Sequence, residues 1–200
     1  MENFISVLLG GSWASGINVY MPAAGLGIAH RMGWLTLPGS LDILGNPLII
    51  GLAVIMYAVE FFADKIPFID SLWDMIHTFI RPAGGAALGY LAASQLGPVI
   101  QAVTAMLTGS VALGAHLSKS TTRSAINTTI PIPFFGAGVS VAEDASVFGI
   151  LYFIVKHPII ACLLAIGLIT LSVWLLVKSF RFLKHLFRPV KKEETVTQHA

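Results

Sequence analysis

The stretch DSLWDMIHTFIRPAGG, residues 70–85, sets four ionisable side chains into a chain that is otherwise strongly apolar. Asp70, Asp74, His77 and Arg81 follow one another at spacings of four, three and four residues. At roughly 100° per residue, all four lie within an arc of about 60° on one helix face. Charged groups in apolar surroundings need a partner of opposite charge or contact with water. The rest of the chain must therefore either pair with these side chains or leave them open to water.

The composition predicts an all-α integral membrane protein. The chain has 200 residues, 56% of them hydrophobic and only 11% charged, with a mean hydropathy of +0.81. Several apolar runs are long enough to cross a hydrocarbon layer of about 30 Å. We predict about six transmembrane helices, at approximately residues 4–29, 46–63, 82–97, 98–117, 136–155 and 158–177. These spans form a single transmembrane domain over residues 1–177.

The distribution of cations predicts a prokaryotic cytoplasmic (inner) membrane protein with both termini in the cytoplasm. Of the 12 Lys and Arg residues, only Arg31 and Lys156 fall in the segments assigned to the outer side. Residues 178–188, KSFRFLKHLFR, interleave cations with Phe and Leu and predict a basic amphipathic helix lying on anionic lipids. Residues 189–200 are predicted to be a disordered tail.

A weak internal similarity suggests a 3+3 inverted repeat. A shift of 98 residues aligns Gly11 with Gly109 and Gly16 with Gly114, which pairs the first span with the fourth. The repeat halves would be residues 1–97 and 98–177, and three spans in each half would make them inverted. Close packing of small residues is the alternative reading.

Both paired spans carry residues that favour an interruption. The first contains Gly16, Asn18 and Pro22, and the fourth contains Gly114, His116 and Ser120. Pro22 removes a backbone donor and frees a carbonyl one turn earlier, near Asn18. We therefore expect broken first and fourth helices, a feature that in transporters marks the central site. A simple kink is the alternative.

A second polar stripe mirrors the first. Pro67 and Pro82 are expected to bound a short amphipathic helix that carries the acidic stripe of residues 70–81. The mainly basic stripe repeats its spacing and comprises His116, Ser120, Arg123 and Asn127, with Lys119 alongside. We expect the two stripes to face each other in a charge network.

Two carboxylates are predicted to lie deeper in the apolar layer. Glu60 and Glu143 each occur within an apolar run, and Asp64 and Asp144 lie close to them in the sequence. Ionisable residues at membrane depth commonly belong to ion pathways or proton relays. We expect Glu60 and Glu143 to continue a polar path inward from the stripes.

Four blocks of the sequence resemble those of a known family. VEFFADKIPFIDSLWDMIHTFIRP, GAHLSKSTTRSAINTT, VSVAEDASV and GINVYMP are similar to the signature blocks of small prokaryotic membrane proteins grouped as domain of unknown function forty-one twenty-six. The resemblance covers residues 11 to about 160 and implies that the charged positions recur as the family pattern, but it implies no activity. NTTIPIPFFGAG departs from the Gly-rich, Asn-Pro-containing loop that the resemblance would imply before the fifth span.

Three classes of function remain open. The first is a small secondary transporter or proton-coupled carrier for a small molecule or ion, where the basic stripe favours a substrate with an anionic group such as a lipid phosphate. The second is a structural or assembly subunit of the membrane. The third is an intramembrane metal-dependent enzyme, in which Asp70, Asp74 and His77 are the candidate ligands of a divalent metal. No other cofactor is predicted.

Composition and motifs also bear on the partners. The formal net charge of only +2 argues against nucleic-acid binding. The basic segment near the end of the chain is explained by contact with a membrane surface instead. Gly84, Gly85 and Gly89 are small residues of the kind that mark helix seams and could indicate a homo-oligomer.

Overall fold

The computed structural model describes residues 2–129 and 135–186, with side chains except at 67–68, 127–129, 135 and 185–186. Seven α-helices and one 3-10 helix, at Gly39–Gly45, make up this part of the chain. The α-helices are α1 (Glu2–Ile17), α2 (Tyr20–Arg31), α3 (Pro47–Ala63), α4 (Pro67–Ala92), α5 (Pro98–Thr129), α6 (Phe135–Lys156) and α7 (Pro158–Leu186). The all-α prediction is confirmed. The predicted tail at 189–200 lies outside the described residues.

Fewer helices than predicted qualify as membrane spans. By length and composition, α5, α6 and α7 are candidate membrane spans. The 3-10 helix and α3, bent by 71° relative to each other, are a fourth candidate if the pair is taken as one span. The number six is therefore not confirmed. α4 does not qualify, and α1 and α2 are too short individually.

The first apolar segment is broken at Asn18, as predicted. α1 ends at Ile17 and α2 begins at Tyr20. The side-chain Oδ1 of Asn18 accepts hydrogen bonds from the backbone N–H groups of Tyr20 and Met21, at 3.0 and 2.9 Å, and so caps α2. Pro22 falls in the first turn of α2, where a missing N–H costs no helical hydrogen bond.

The two limbs of this segment form a hairpin rather than one straight span over residues 4–29. Gly10 of α1 packs on Ile154 of α6, and Gly25 of α2 packs on Leu151, one turn away on the same helix. α1 therefore starts, and α2 ends, at the same end of the helix bundle, and Asn18 lies at the tip between them. This corrects the prediction that residues 4–29 form one broken span that crosses the bundle, since the chain reverses direction at the break.

The hairpin also changes the relation between the two ends of the chain. α7 starts directly after α6, beside the start of α1, and runs for 29 residues away from it. Glu2 and Leu186, the described ends, thus lie at opposite ends of the bundle. The predicted placement of both termini in the cytoplasm counted the first segment as a crossing, and the orientation of the termini stays a prediction.

The predicted inverted repeat does not fit the helix directions. α4 runs antiparallel to α1, since Gly11 meets Leu88 while Val19 meets Gly84. α4 also runs antiparallel to α5, since Gly85 meets Ala112 while Gly89 meets Thr104 and Thr108. α1 and α5 therefore point the same way, whereas inverted halves require them to point in opposite directions. The shared small residues reflect close packing instead.

The predicted break in the fourth span is also absent. α5 continues from Pro98 to Thr129, through Gly114, His116 and Ser120. No proline interrupts this stretch, and the hydroxyls of Ser120 and Thr121 donate to the carbonyl of Leu117 within the helix. The polar residues do not end the helix, because Ser120 and Thr121 bond within it and His116 finds its partners, Thr78 and Arg81, on α4.

α4 corrects the prediction of two elements separated at Pro82. Pro67 starts the helix as expected, but the helix continues through Pro82 to Ala92. Pro82 removes one hydrogen bond, and the extensive packing of α4 against α5 maintains the helix beyond it. Gly84, Gly85 and Gly89 lie in contacts with Val19 and with α5 of the same chain, so they serve this internal packing.

α7 likewise continues without a break through residues 178–186, so the predicted interfacial helix is the end of a longer one. Its position relative to lipid headgroups stays a prediction, and residues 187–188 lie outside the described part of the chain.

Candidate functional site

A buried ionic network lies beside the tip of the α1–α2 hairpin. Its residues come from α3 and the turn that follows it, and from α4, α5 and α6. In the described residues it joins six carboxylates to four cations: Glu60, Asp64, Asp70, Asp74, Glu143 and Asp144 with Lys65, Arg81, Lys119 and Arg123. We call these ten residues the ionic network.

Arg81 is the centre of the deeper part. Its Nη2 donates to Glu60 Oε1 at 2.6 Å, and its Nη1 donates to Asp74 Oδ1 at 3.1 Å. The side chains of Arg81 and Glu60 have no exposed surface. A guanidinium with two carboxylate partners balances the loss of hydration that such burial imposes.

His116 completes the surroundings of Arg81. Arg81 Nη1 lies 2.7 Å from His116 Nδ1, and because arginine can only donate, that ring nitrogen must accept. The hydroxyl of Thr78 gives its proton to the carbonyl of Asp74, so it accepts at 3.0 Å from His116 Nε2. His116 is therefore neutral, with its proton on Nε2.

His77 also has a partner at each ring nitrogen. Its Nδ1 lies 2.8 Å from the carbonyl oxygen of Trp73 and must donate to it. Its Nε2 lies 3.2 Å from the hydroxyl of Tyr20, at the start of α2, which can donate to it or accept from it. His77 thereby connects α4 to the second limb of the hairpin.

Lys119 and Arg123 form the second part, one turn apart on α5. Lys119 Nζ lies 2.7 Å from Asp64 Oδ2 and 3.7 Å from Glu143 Oε2. Arg123 Nη2 donates to Glu143 Oε2 at 2.5 Å, and Arg123 Nη1 donates to Asp70 Oδ1. Separately, Lys65 lies 3.9 Å from Asp144.

The hairpin tip touches this second part directly. Lys119 Nζ also donates to the carbonyl of Ile17, the last residue of α1, at 3.2 Å. A cation at a helix C-terminus satisfies a free carbonyl and matches the helix dipole. The break in the first segment and the charges of α5 are therefore one structural unit.

Two carboxylates outside the qualifying spans have shifted pKa values in opposite directions. For Asp64, burial acts to raise the pKa, but Lys119 and Arg123 outweigh it and the pKa falls below its ordinary value. For Asp70, burial dominates and raises the pKa to about 7, although Arg123 opposes the rise.

Comparison with known proteins identifies the family. The chain belongs to the family described as Domain of unknown function (DUF4126). The family model matches residues 5–178, which includes α2 to α6 and every residue of the ionic network. No curated protein and no solved structure gives a match.

In this DUF4126 member, the structure gathers the predicted site residues into one region wherever it describes their side chains. Asn18 lies at the hairpin tip, His77 and His116 contact Tyr20 and Arg81 respectively, and the other nine belong to the ionic network. Asn127 lies in the last turn of α5, outside the described side chains. The acidic stripe of α4 and the basic stripe of α5 pair with each other at Asp70 and Arg123.

The positions of Glu60 and Glu143 differ from the predicted polar path that both would continue inward. Glu60 is deep, on Arg81, but the side chain of Glu143 is 17% exposed and pairs with the outer cation Arg123. Sequence reasoning also did not assign Tyr20, Thr78 or the carbonyl of Ile17 to the site. Tyr20 and Ile17 lie within two residues of Asn18, so the predicted helix break could have pointed to both. Nothing in the sequence pointed to Thr78 except its position next to His77.

The three residues considered as metal ligands do not converge. Asp70 pairs with Arg123, Asp74 pairs with Arg81, and His77 contacts Trp73 and Tyr20. Within the described part of the chain, no group of three or more His, Cys, Asp or Glu residues could hold a metal ion. The side chains that are present do not fit a resident metal.

Proposed function

We propose that this protein is a small secondary transporter coupled to protons or another cation. The observation that carries the proposal is the ionic network held against the broken tip of a helical hairpin. Interrupted helices that meet charged groups inside a helix bundle form the central sites of secondary transporters. Membership of a family without assigned activity neither supports nor opposes this.

Charge balance points to a cation as the coupling species. The network has two more carboxylates than cations, and His116 beside it is neutral by its hydrogen bonds. Every cation of the network already has a carboxylate partner, which leaves little attraction for an anionic substrate such as a lipid phosphate. A buried site with excess negative charge favours uptake of protons or cations.

Glu60 is the best candidate for a proton carrier. Its Oε1 binds Arg81, while its Oε2 is buried with no hydrogen-bond partner among the described residues. Burial without a partner costs less for a protonated carboxyl oxygen than for a charged one. The side-chain nitrogen of Asn18, at the hairpin tip, is likewise buried without a hydrogen-bond partner among the described residues.

A polar pocket provides access to the network. It has a volume of about 210 Å³ and lies between α4 and α5, where Asp70, Asp74 and Arg123 line it together with hydroxyl side chains. Ions entering there would meet Asp70 and Asp74 before reaching Arg81 and Glu60, because Asp74 pairs with Arg81.

Proton flux in reconstituted vesicles tests the proposal. A pH jump is applied to vesicles that contain the parent protein, Glu60→Gln, Glu143→Gln or the control Asp42→Asn, an exposed carboxylate on the 3-10 helix. We expect flux in the parent and in the control, and loss of flux in folded Glu60→Gln. Absence of flux in the parent, both under the pH jump and under imposed gradients of other cations, would refute the proposal.

A structural or assembly role is the second candidate, and the completeness of the ion pairing favours it. Removal of a single partner from a buried ion-pair network strongly destabilises a protein. A network whose only role is structural should therefore show its effect on folding. If the parent shows no flux and both glutamine variants unfold, the network is structural. Folded variants without flux favour the transporter.

A further inference from the structure

A second cavity lies between α5 and α6, separate from the polar pocket between α4 and α5. Its volume is about 230 Å³, and α1 and α7 close it from behind. Leu168, Leu171 and Leu175 of α7 and Val139 of α6 make its walls mostly apolar. α5 and α6 barely touch in the described residues, so the cavity is the gap between these two consecutive helices.

One end of this cavity is charged. Lys119 and Glu143 both line it, 3.7 Å apart. The Lys119 side chain is 1% exposed and is already held by Asp64 and by the carbonyl of Ile17. Glu143, at 17%, has the most exposed side chain among the six network carboxylates. The charge that an occupant can reach is therefore the carboxylate.

A hydroxyl near that carboxylate also suits a hydrogen-bond donor. Ser146 lines the cavity one turn after Glu143, and its hydroxyl proton is given to the carbonyl of Ala142 at 2.8 Å. Only the lone pairs of its oxygen remain for an occupant, so it accepts rather than donates.

We propose that this cavity binds lipophilic amines, with the ammonium head on Glu143 and Ser146 and the apolar tail among the leucines of α7. The inference rests on the proposed transport function and names its substrate class. The excess of carboxylates in the network supplies the charge complementarity, and the apolar walls select an occupant with a hydrocarbon tail. An anionic head would have to displace Glu143 from Lys119 and Arg123.

Three ligands of equal chain length but different head charge test the site. Octylammonium, octanol and octanoate are titrated by calorimetry into the full chain in an uncharged detergent. We expect saturable binding of octylammonium, weakened at least about tenfold by Glu143→Gln, as loss of a charge-assisted hydrogen bond implies. The matched control Asp42→Asn removes the same charge from the exposed 3-10 helix and should keep the parent affinity. Equal binding of all three ligands, or preference for octanoate, would overturn the proposal.

A second variant keeps the test valid if Glu143→Gln fails to fold. Ser146→Leu fills the cavity and leaves every ion pair in place, so it should abolish octylammonium binding without unfolding the protein; unchanged affinity would exclude this cavity. Proton flux measured on the same samples separates the two hypotheses. Flux without amine binding in the parent removes the cavity proposal alone, whereas binding without flux removes the transport proposal alone.

Discussion

Arg81 Nη2 lies 2.6 Å from Glu60 Oε1, and both side chains are completely buried. This pair connects α3 to α4 at the depth where Tyr20 of the hairpin meets His77. Neither charge is tolerable there alone, because an isolated ion in an apolar interior loses several kcal/mol of hydration. The pair therefore has a large effect on stability whether or not the protein transports anything.

Replacement of Arg81 should be among the most damaging single changes. Arg81→Met leaves Glu60 and Asp74 without their shared partner, and we expect a loss of about 3–5 kcal/mol in the free energy of unfolding. The double variant Arg81→Met/Glu60→Gln removes one stranded charge and should recover a substantial part of that loss. Denaturant unfolding in detergent measures both, with Arg31→Met at the exposed end of α2 as the control. A double variant no more stable than the single one would contradict the assigned pairing.

The pH dependence of stability should carry a contribution from Asp70. In the folded protein its pKa is about 7 against an ordinary value of 3.8, so between these values folding takes up a proton. That contribution is fully present below about pH 3.8 and is lost as the pH rises through 7. The melting temperature of the parent should therefore fall relative to that of Asp70→Asn as the pH is raised from about 4 to about 8.

The control for this pH scan is a carboxylate that is exposed and lies outside the ionic network. Asp42→Asn meets this requirement, and its melting temperature should follow that of the parent throughout. A constant difference between the parent and Asp70→Asn over the whole range would show that Asp70 does not titrate as assigned.

The cap at the hairpin tip can be tested against an equivalent cap elsewhere. Asn18→Ala removes the acceptor of two backbone N–H groups of α2, and Asn46→Ala removes the cap of α3. Loss of an N-cap costs about 1 kcal/mol, so both variants should lose comparable stability. Only Asn18→Ala should also reduce proton flux, because only Asn18 adjoins the network. Equal flux in the two variants would separate the hairpin tip from the proposed function.

The sequence predicted the composition of the site better than the path of the chain. The i, i+4 and i, i+3 spacings of α4 and α5 predicted which side chains share a face, since helix periodicity is a local property. The Asn18 break was also local, because Asn and Pro act on their own backbone. Whether the chain continues or reverses after a break depends on packing between distant helices, which the sequence does not show. For that reason the number of spans is not confirmed and the predicted repeat does not fit the helix directions.

The alignment of Gly16 with Gly114 illustrates that limit and gives the last prediction. The two glycines look equivalent in sequence, but a Cβ on Gly16 would lie 2.3 Å from the carbonyl oxygen of Ala112, whereas a Cβ on Gly114 would meet nothing within 4 Å. Gly16→Ala must therefore push α1 away from α5 and should lower stability by about 1–3 kcal/mol, as overpacking does. Gly114→Ala should be neutral, or stabilising by up to about 1 kcal/mol through helix propensity. Thermal unfolding of the two variants in detergent compares them directly, and similar losses in both would mean that α1 and α5 do not pack as described.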